Sequence, residues 1–166
     1  MANNLDHNYK KAIVDLYGKG FNTLIETGTY YGEMVQANID KFDRIISIEL
    51  SQKLYTKAVQ KFKSHKNVEL YLGDSADLLP QILKSLKEPA VFWLDGHYSG
   101  GVTVKGKKET PIREELYHIL KHPLRHVILI DDARCFGKGD YPTLEEIQAV
   151  KGKYSYELKH DIIRLI

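Results

Sequence analysis

The strongest constraint on the fold is an alternation of short apolar runs with segments of helical period. Five runs rich in β-branched residues are separated by stretches in which apolar residues recur every three or four positions. The runs cover residues 23–26, 44–49, 68–72, 90–94 and 126–130. Several are almost continuously apolar, as expected of parallel strands covered on both faces. The sequence therefore predicts an α/β fold with one doubly wound, mostly parallel sheet and right-handed crossovers.

Side chains that cap helices mark where some of the intervening helices begin. Ser51 stands before one apolar stripe, and Thr110 followed by Pro111 stands before another. Residues 143–146, Thr-Leu-Glu-Glu, match a capping box. The first helix is predicted to bury one face, formed by Tyr9, Ile13, Leu16 and Tyr17.

The end of the chain breaks this alternation. Residues 154–158 and 162–166 are two strand-like runs joined by a short polar connection at 159–161. No helical segment separates them, so they are predicted to form a C-terminal antiparallel hairpin at the edge of the sheet.

Length and composition set the class of protein. A chain of 166 residues with 43% hydrophobic residues predicts a single domain over residues 1–166. A net charge of +2 gives no overall attraction to nucleic acid. Cys135, the only cysteine, cannot form an internal disulfide. No apolar run approaches membrane-spanning length and the N-terminus does not resemble a signal peptide, so we expect a cytoplasmic protein without a membrane partner.

Each of the five predicted parallel strands closes on at least one carboxylate. In open α/β sheets, ligands bind outside the carboxyl ends of the strands. A single acidic residue there is usually a helix cap or a turn residue, but five at one edge indicate a ligand site. The acidic residues are Glu26, Glu49, Asp74, Asp95 and the pair Asp131 and Asp132.

Several of these positions have a plausible role in binding an adenosine. Gly28 and Gly32 allow a tight turn and a close approach of ligand to backbone. Glu49, 21 positions after Gly28, can take both hydroxyls of a ribose, and the Asp74-Ser75 pair can bond an adenine amino group.

The order and spacing of these motifs resemble those of the class I, Rossmann-like S-adenosylmethionine-dependent methyltransferases. The glycine loop of that family has the form E-x-G-x-G-x-G, and here a tyrosine replaces the middle glycine. The resemblance covers residues 20–135 and implies S-adenosylmethionine as the cofactor. The residues that it implies for cofactor binding are Glu26, Gly28, Thr29, Tyr30, Gly32, Glu49, Asp74, Ser75 and Asp95.

Asp95 and His97 are the predicted catalytic residues. Asp95 closes the central strand and can hold the methionine ammonium or a metal, while His97 can act as general base. For His97 a polar loop residue bonded to backbone is an equally open reading. The glycine-rich, basic segment 99–109 is predicted to be a substrate lid, with a solvated loop as the alternative.

The carboxylates of Asp95, Asp131 and Asp132 also resemble a metal site. Metal-dependent O-methyltransferases of the catechol, caffeoyl-CoA and macrolide-sugar types have one Asp after strand four and an acidic pair after strand five. This resemblance implies Mg²⁺, which binds two vicinal acceptor oxygens and lowers their pKa. The third family ligand is usually Asn, where this chain has Asp132. The alternative is an acidic pair that caps the turn before Ala133.

The function predicted from the sequence is S-adenosylmethionine-dependent methyl transfer, with O-methylation of a small molecule or sugar. A non-catalytic module that binds S-adenosylmethionine or a nucleoside is one alternative. A dinucleotide-binding oxidoreductase is another, although the loop at 28–32 lacks the G-x-G-x-x-G pattern. A nucleic-acid substrate is not expected, because the Asn/Asp-Pro-Pro-Tyr motif used on bases is absent. Little chain is left for a substrate cap, so a homo-oligomer that completes the cleft is a further expectation.

Overall fold

The computed structural model describes residues 4–96 and 110–166. Within these residues the strands are β1 Thr23–Thr27, β2 Arg44–Glu49, β3 Val68–Leu72, β4 Val91–Leu94, β5 Val127–Ile130, β6 Tyr156–Lys159 and β7 Ile162–Leu165. The helices are α1 Asn4–Gly18, α2 Glu33–Asn38, α3 Gln52–Phe62, α4 Ser75–Ser85, α5 Ile112–Lys121 and α6 Leu144–Val150. A single 3₁₀ turn, Ala133–Cys135, follows β5.

The described strands form one seven-stranded sheet with the order β3-β2-β1-β4-β5-β7-β6. Strands β1 to β5 pair in parallel, whereas β7 is antiparallel to both β5 and β6. The predicted doubly wound, mostly parallel sheet and its C-terminal antiparallel hairpin are therefore confirmed. The strand order reverses between β1 and β4, and in such sheets this switch point is where ligands bind.

Apolar side chains fill a core on each face of the sheet. Neighbouring residues of β4 point to opposite faces: Phe92 belongs to one core cluster and Trp93 to the other, and each is at most 1% exposed. Two-sided burial explains why the central strands are almost continuously apolar. In α1 the predicted face is wrong at one position: Leu16 is 55% exposed, and Val14 is buried instead.

The predicted helix starts are found where the side chains indicated them. Ser51 accepts a hydrogen bond from the backbone N–H of Leu54, and Thr110 accepts one from that of Ile112. Thr143 and Glu146 form the two reciprocal bonds of a capping box. Ser51 and Thr143 thus cap α3 and α6, whereas the cap position of α5 is Pro111, one residue later than Thr110.

None of the helices in the described part of the chain has the length and apolar character that crossing a bilayer requires.

Candidate functional site

The carboxyl ends of β1 and β4 are held together at the switch point. The backbone N–H of Asp95 donates to the carbonyl of Thr27 at 3.1 Å, and that of Gly28 donates to the carbonyl of Ile48 at 2.9 Å. The loops that follow three neighbouring strands are thereby tied together at one edge. The acidic residues predicted from the strand ends all lie at this edge.

The loop after β1 adopts a conformation that needs glycine at two of its positions. Gly28 has φ +87°, and a Cβ there would lie 2.5 Å from the carbonyl oxygen of Asp95. Gly32 has φ +70°, and a Cβ there would lie 2.5 Å from a ring carbon of Phe62. Tyr30, which replaces the family's middle glycine, has a left-handed φ of +50°.

Glu49 is fixed at the rim of this loop by two backbone donors. The N–H of Tyr30 donates to Oε2 and that of Ser51 donates to Oε1, each at 2.8 Å. The side chain of Tyr30 points away from this contact, since 45% of the residue is exposed and its ring packs against Tyr31 with centroids 4.2 Å apart. The tyrosine therefore leaves the backbone contact of the loop intact. A carboxylate oxygen can accept more than one hydrogen bond, so Glu49 can still take ligand hydroxyls.

Glu26 lies beneath the loop rather than on its surface. It is 2% exposed, and its Oε2 accepts a hydrogen bond from Ser47, whose hydroxyl lies 2.6 Å from that of Thr29. Burial raises the pKa of Glu26 well above its ordinary value, and the charges of Asp95 and Glu49 raise it further. Glu26 and Thr29 therefore form a polar network under the loop.

Asp74 and Ser75, predicted to meet an adenine, both have partners within the chain. Asp74 caps α4, accepting a hydrogen bond from the N–H of Ala76 at 3.0 Å. The hydroxyl of Ser75 donates to Oε1 of Glu115 at 2.6 Å. Both residues lie at the predicted edge.

Glu115 is a residue of this edge that the sequence reasoning missed. It is 1% exposed, and burial raises its pKa to about 7, an effect that the bond from Ser75 opposes. A signal was present, because Glu115 lies three residues after Ile112 and four before Ile119, on the apolar stripe of α5. An acidic residue on such a stripe points inward rather than to solvent.

The three carboxylates predicted to hold a metal come together at the ends of β4 and β5. One oxygen of each of Asp95, Asp131 and Asp132 lies within 4.8 Å of the other two. The Nζ of Lys10, on α1, lies 2.6 Å from Oδ2 of Asp131, and Nη1 of Arg134 lies 2.6 Å from Oδ1 of Asp132. We call these three aspartates the acidic cluster.

The acidic cluster offers the oxygen ligands that Mg²⁺ prefers, but Lys10 and Arg134 already compensate part of its charge. Burial raises the pKa of Asp131, as do the charges of Asp95 and Asp132, while Lys10 opposes the shift. Mg²⁺ binds oxygen at about 2.1 Å. An ion bound to Oδ2 of Asp131 would therefore lie against the ammonium of Lys10, so the residues do not fit a divalent ion while Lys10 is in place.

His97 and the segment 99–109 lie outside the described residues. The general base and the lid predicted there stay predictions.

No family model matches the sequence, and the comparison with curated proteins gives no match. Solved structures do match over almost the whole chain. The O-methyltransferase from Bacillus cereus in complex with SAH aligns with a TM-score of 0.65 at 17% identity, covering 100% of this chain and 82% of that one. CalS11, a TDP-rhamnose 3'-O-methyltransferase of calicheamicin biosynthesis, aligns with a TM-score of 0.65 at 15% identity, covering 97% and 78%.

The 23S rRNA methyltransferase ErmE aligns with a TM-score of 0.58 at 16% identity, covering 95% of this chain and 66% of that one. These identities establish a likeness of fold. The chain thus has the Rossmann-like fold of the S-adenosylmethionine-dependent methyltransferases, as the resemblance of its motifs implied.

Gly28→Ala is expected to loosen the contact between β1 and β4. Gly20 is a matched control, because its φ of +86° is nearly the same but a Cβ there meets nothing within 4 Å. Gly20→Ala should lower the free energy of unfolding by about 1 kcal/mol, the strain of the left-handed backbone alone. Gly28→Ala should lower it by about 2 kcal/mol or more. Urea unfolding measures both. Equal losses would show that the approach of Gly28 to Asp95 contributes nothing.

Glu115→Gln is expected to change how stability depends on pH. A carboxyl with a raised pKa holds its proton in the folded state, so the wild-type protein loses stability as the pH rises from 4.5 to about 7. The variant lacks this loss, and its stability relative to wild type should rise by about 2 to 3 kcal/mol between pH 5 and pH 8. Urea unfolding at both pH values checks this, with the exposed Glu145→Gln as control. A constant difference would contradict the raised pKa.

Proposed function

We propose that this protein is an S-adenosylmethionine-dependent methyltransferase that acts on an oxygen of a small molecule or sugar. The observation that carries the proposal is the glycine loop at the switch point, with the Glu49 carboxylate fixed at its rim. The methyltransferase fold supports the same reading.

Glu49 is proposed to bind the ribose hydroxyls of the cofactor. Its two backbone donors orient the carboxylate before any ligand arrives, so little ordering cost remains at binding. Gly28 leaves room for the ligand to lie close to the backbone. The edge is rich in carboxylates, and this suits a positively charged sulfonium better than the pyrophosphate of a dinucleotide.

The bound cofactor supplies a methyl group on a positively charged sulfur; transfer to oxygen forms a C–O bond and breaks the C–S bond, whose electron pair stays on sulfur. The chain has to align the acceptor oxygen with that methyl group and to remove its proton. We assign the alignment to Asp95 at the end of β4 and the proton to His97.

The acidic cluster favours a small acceptor over a nucleic acid. Counting only residues that the structure describes, these three carboxylates and the cations of Lys10 and Arg134 have a formal charge of −1, which does not favour a phosphate backbone. Two of the similar structures are named as O-methyltransferases, one of them for a deoxysugar nucleotide, while ErmE is named for 23S rRNA. Methylation of an RNA oligonucleotide in preference to hydroxylated small molecules would overturn this choice of acceptor.

Calorimetry with S-adenosylhomocysteine tests the cofactor assignment, and Glu49→Ala tests its proposed contact. Wild-type protein should bind S-adenosylhomocysteine, and the variant should bind it about 30- to 100-fold more weakly, because a charge-assisted contact is lost. The control is Glu88→Gln. Glu88 is exposed and accepts a hydrogen bond from the side chain of Asn22, which precedes β1. Binding of NAD but not S-adenosylhomocysteine by wild type would instead identify a dinucleotide-binding protein.

Asp95→Asn is expected to lower turnover more than cofactor affinity. The amide keeps the shape of the side chain but loses the charge that orients the reacting groups, so kcat should fall about 100-fold. Transfer of labelled methyl to catechol and TDP-rhamnose measures turnover, and calorimetry measures affinity. The exposed Asp40→Asn serves as control. Full activity in Asp95→Asn would remove the residue from the mechanism, and binding without transfer to any acceptor would favour the non-catalytic module.

A further inference from the structure

Lys10 of α1 reaches the acidic cluster from the opposite end of the sequence. Its Nζ lies 2.6 Å from Oδ2 of Asp131 and 4.0 Å from Oδ1 of Asp132. The side chain of Asp131 is 1% exposed, whereas 16% of the Lys10 side chain remains exposed. The ammonium therefore covers the buried carboxylate and forms the boundary between the cluster and solvent.

Of the two described cations that pair with the cluster, Lys10 compensates it more strongly than Arg134 does. Three carboxylates so close together repel one another, and nearby cations reduce this repulsion. Arg134 is 60% exposed and shares its guanidinium between Asp132 and Asp161, so solvent screens much of its effect. Lys10 is the more buried of the two and lies directly on the carboxylate that is most shielded.

We propose that the ammonium of Lys10, not a divalent metal ion, is the resident cation of the acidic cluster and contacts the acceptor oxygen during methyl transfer. The first half, the identity of the cation, rests on the geometry of the cluster alone. The second half, the contact with the acceptor, rests on the proposed function, because it places the acceptor at the exposed side of Lys10. A fixed positive charge beside the acceptor oxygen stabilises the negative charge that develops as its proton leaves. Methyl transfer then needs no added metal.

Titration calorimetry with MnCl₂ tests the first half without any cofactor or activity. Wild-type protein should bind Mn²⁺ weakly, and Lys10→Met should bind it at least about tenfold more tightly, because the competing charge is gone while the unbranched stem stays. Lys11→Met is the matched control, since the Nζ of Lys11 lies 3.7 Å from a carboxylate oxygen of Glu33, a surface residue outside the acidic cluster. It should behave as wild type. Adding Asp131→Asn to Lys10→Met should abolish the gain.

A second variant keeps the test decisive if Lys10→Met does not fold, which thermal melting reveals. Lys10→Arg retains the charge and should exclude Mn²⁺ as wild type does. The proposal is overturned if wild-type protein binds Mn²⁺ as tightly as Lys10→Met does. If Lys10→Met does not fold, micromolar binding of Mn²⁺ by wild-type protein overturns it.

Activity assays test the second half. Wild-type transfer of labelled methyl to catechol or TDP-rhamnose should be unchanged by EDTA. Lys10→Met should lower kcat at least about tenfold while its affinity for S-adenosylhomocysteine stays within about twofold of wild type, and Lys10→Arg should recover part of the loss. Loss of wild-type activity in EDTA with recovery in Mg²⁺ would overturn the role of Lys10. Failure of wild type to bind S-adenosylhomocysteine would overturn the proposed function instead, and leave the Mn²⁺ result valid.

Discussion

The contact between the ends of β1 and β4 determines the geometry of the whole candidate site. Gly28 lies so close to the carbonyl of Asp95 that no side chain fits between them, and a hydrogen bond from Asp95 to Thr27 fastens the same point. Because the strand order reverses here, α2 and α5, which follow β1 and β4, pack on opposite faces of the sheet, and in such sheets ligands bind at this point. The loop that carries Tyr30 turns back over β2, so its backbone meets Glu49. The side of the site that is proposed to bind the cofactor thus depends on one close approach of backbone to backbone.

Three carboxylates at this edge are accommodated by different physical means. Glu26 is buried under the loop, where its raised pKa favours the protonated form. Glu49 stays at the rim and accepts two backbone hydrogen bonds. Asp131 is compensated by the ammonium of Lys10. Under the proposed function, these differences divide the edge into a ribose-binding side, where Glu49 is held ready for hydroxyls, and an acceptor side, where Lys10 supplies a cation.

Local pattern and parallel-sheet geometry were enough to predict the strands, the caps and the strand-end carboxylates. Apolar periodicity gives the elements, and parallel strands necessarily present their carboxyl ends at one edge. Long-range contacts were beyond that reasoning. Nothing near Lys10 in the sequence indicates that it meets Asp131, and nothing near Glu115 names Ser75 as its partner. The metal prediction shows the same limit: it counted the ligands of the acidic cluster without the cation that α1 brings to them.

Helix α1 connects the two sides of the site. Lys11 pairs with Glu33, directly after the glycine loop, while the preceding residue, Lys10, pairs with Asp131 at the end of β5. Adjacent residues of one helix thereby contact the acidic cluster and the first residue of α2, which follows the glycine loop, and their spacing is fixed by the helix backbone. A shift of α1 along the sheet would therefore move both ion pairs together.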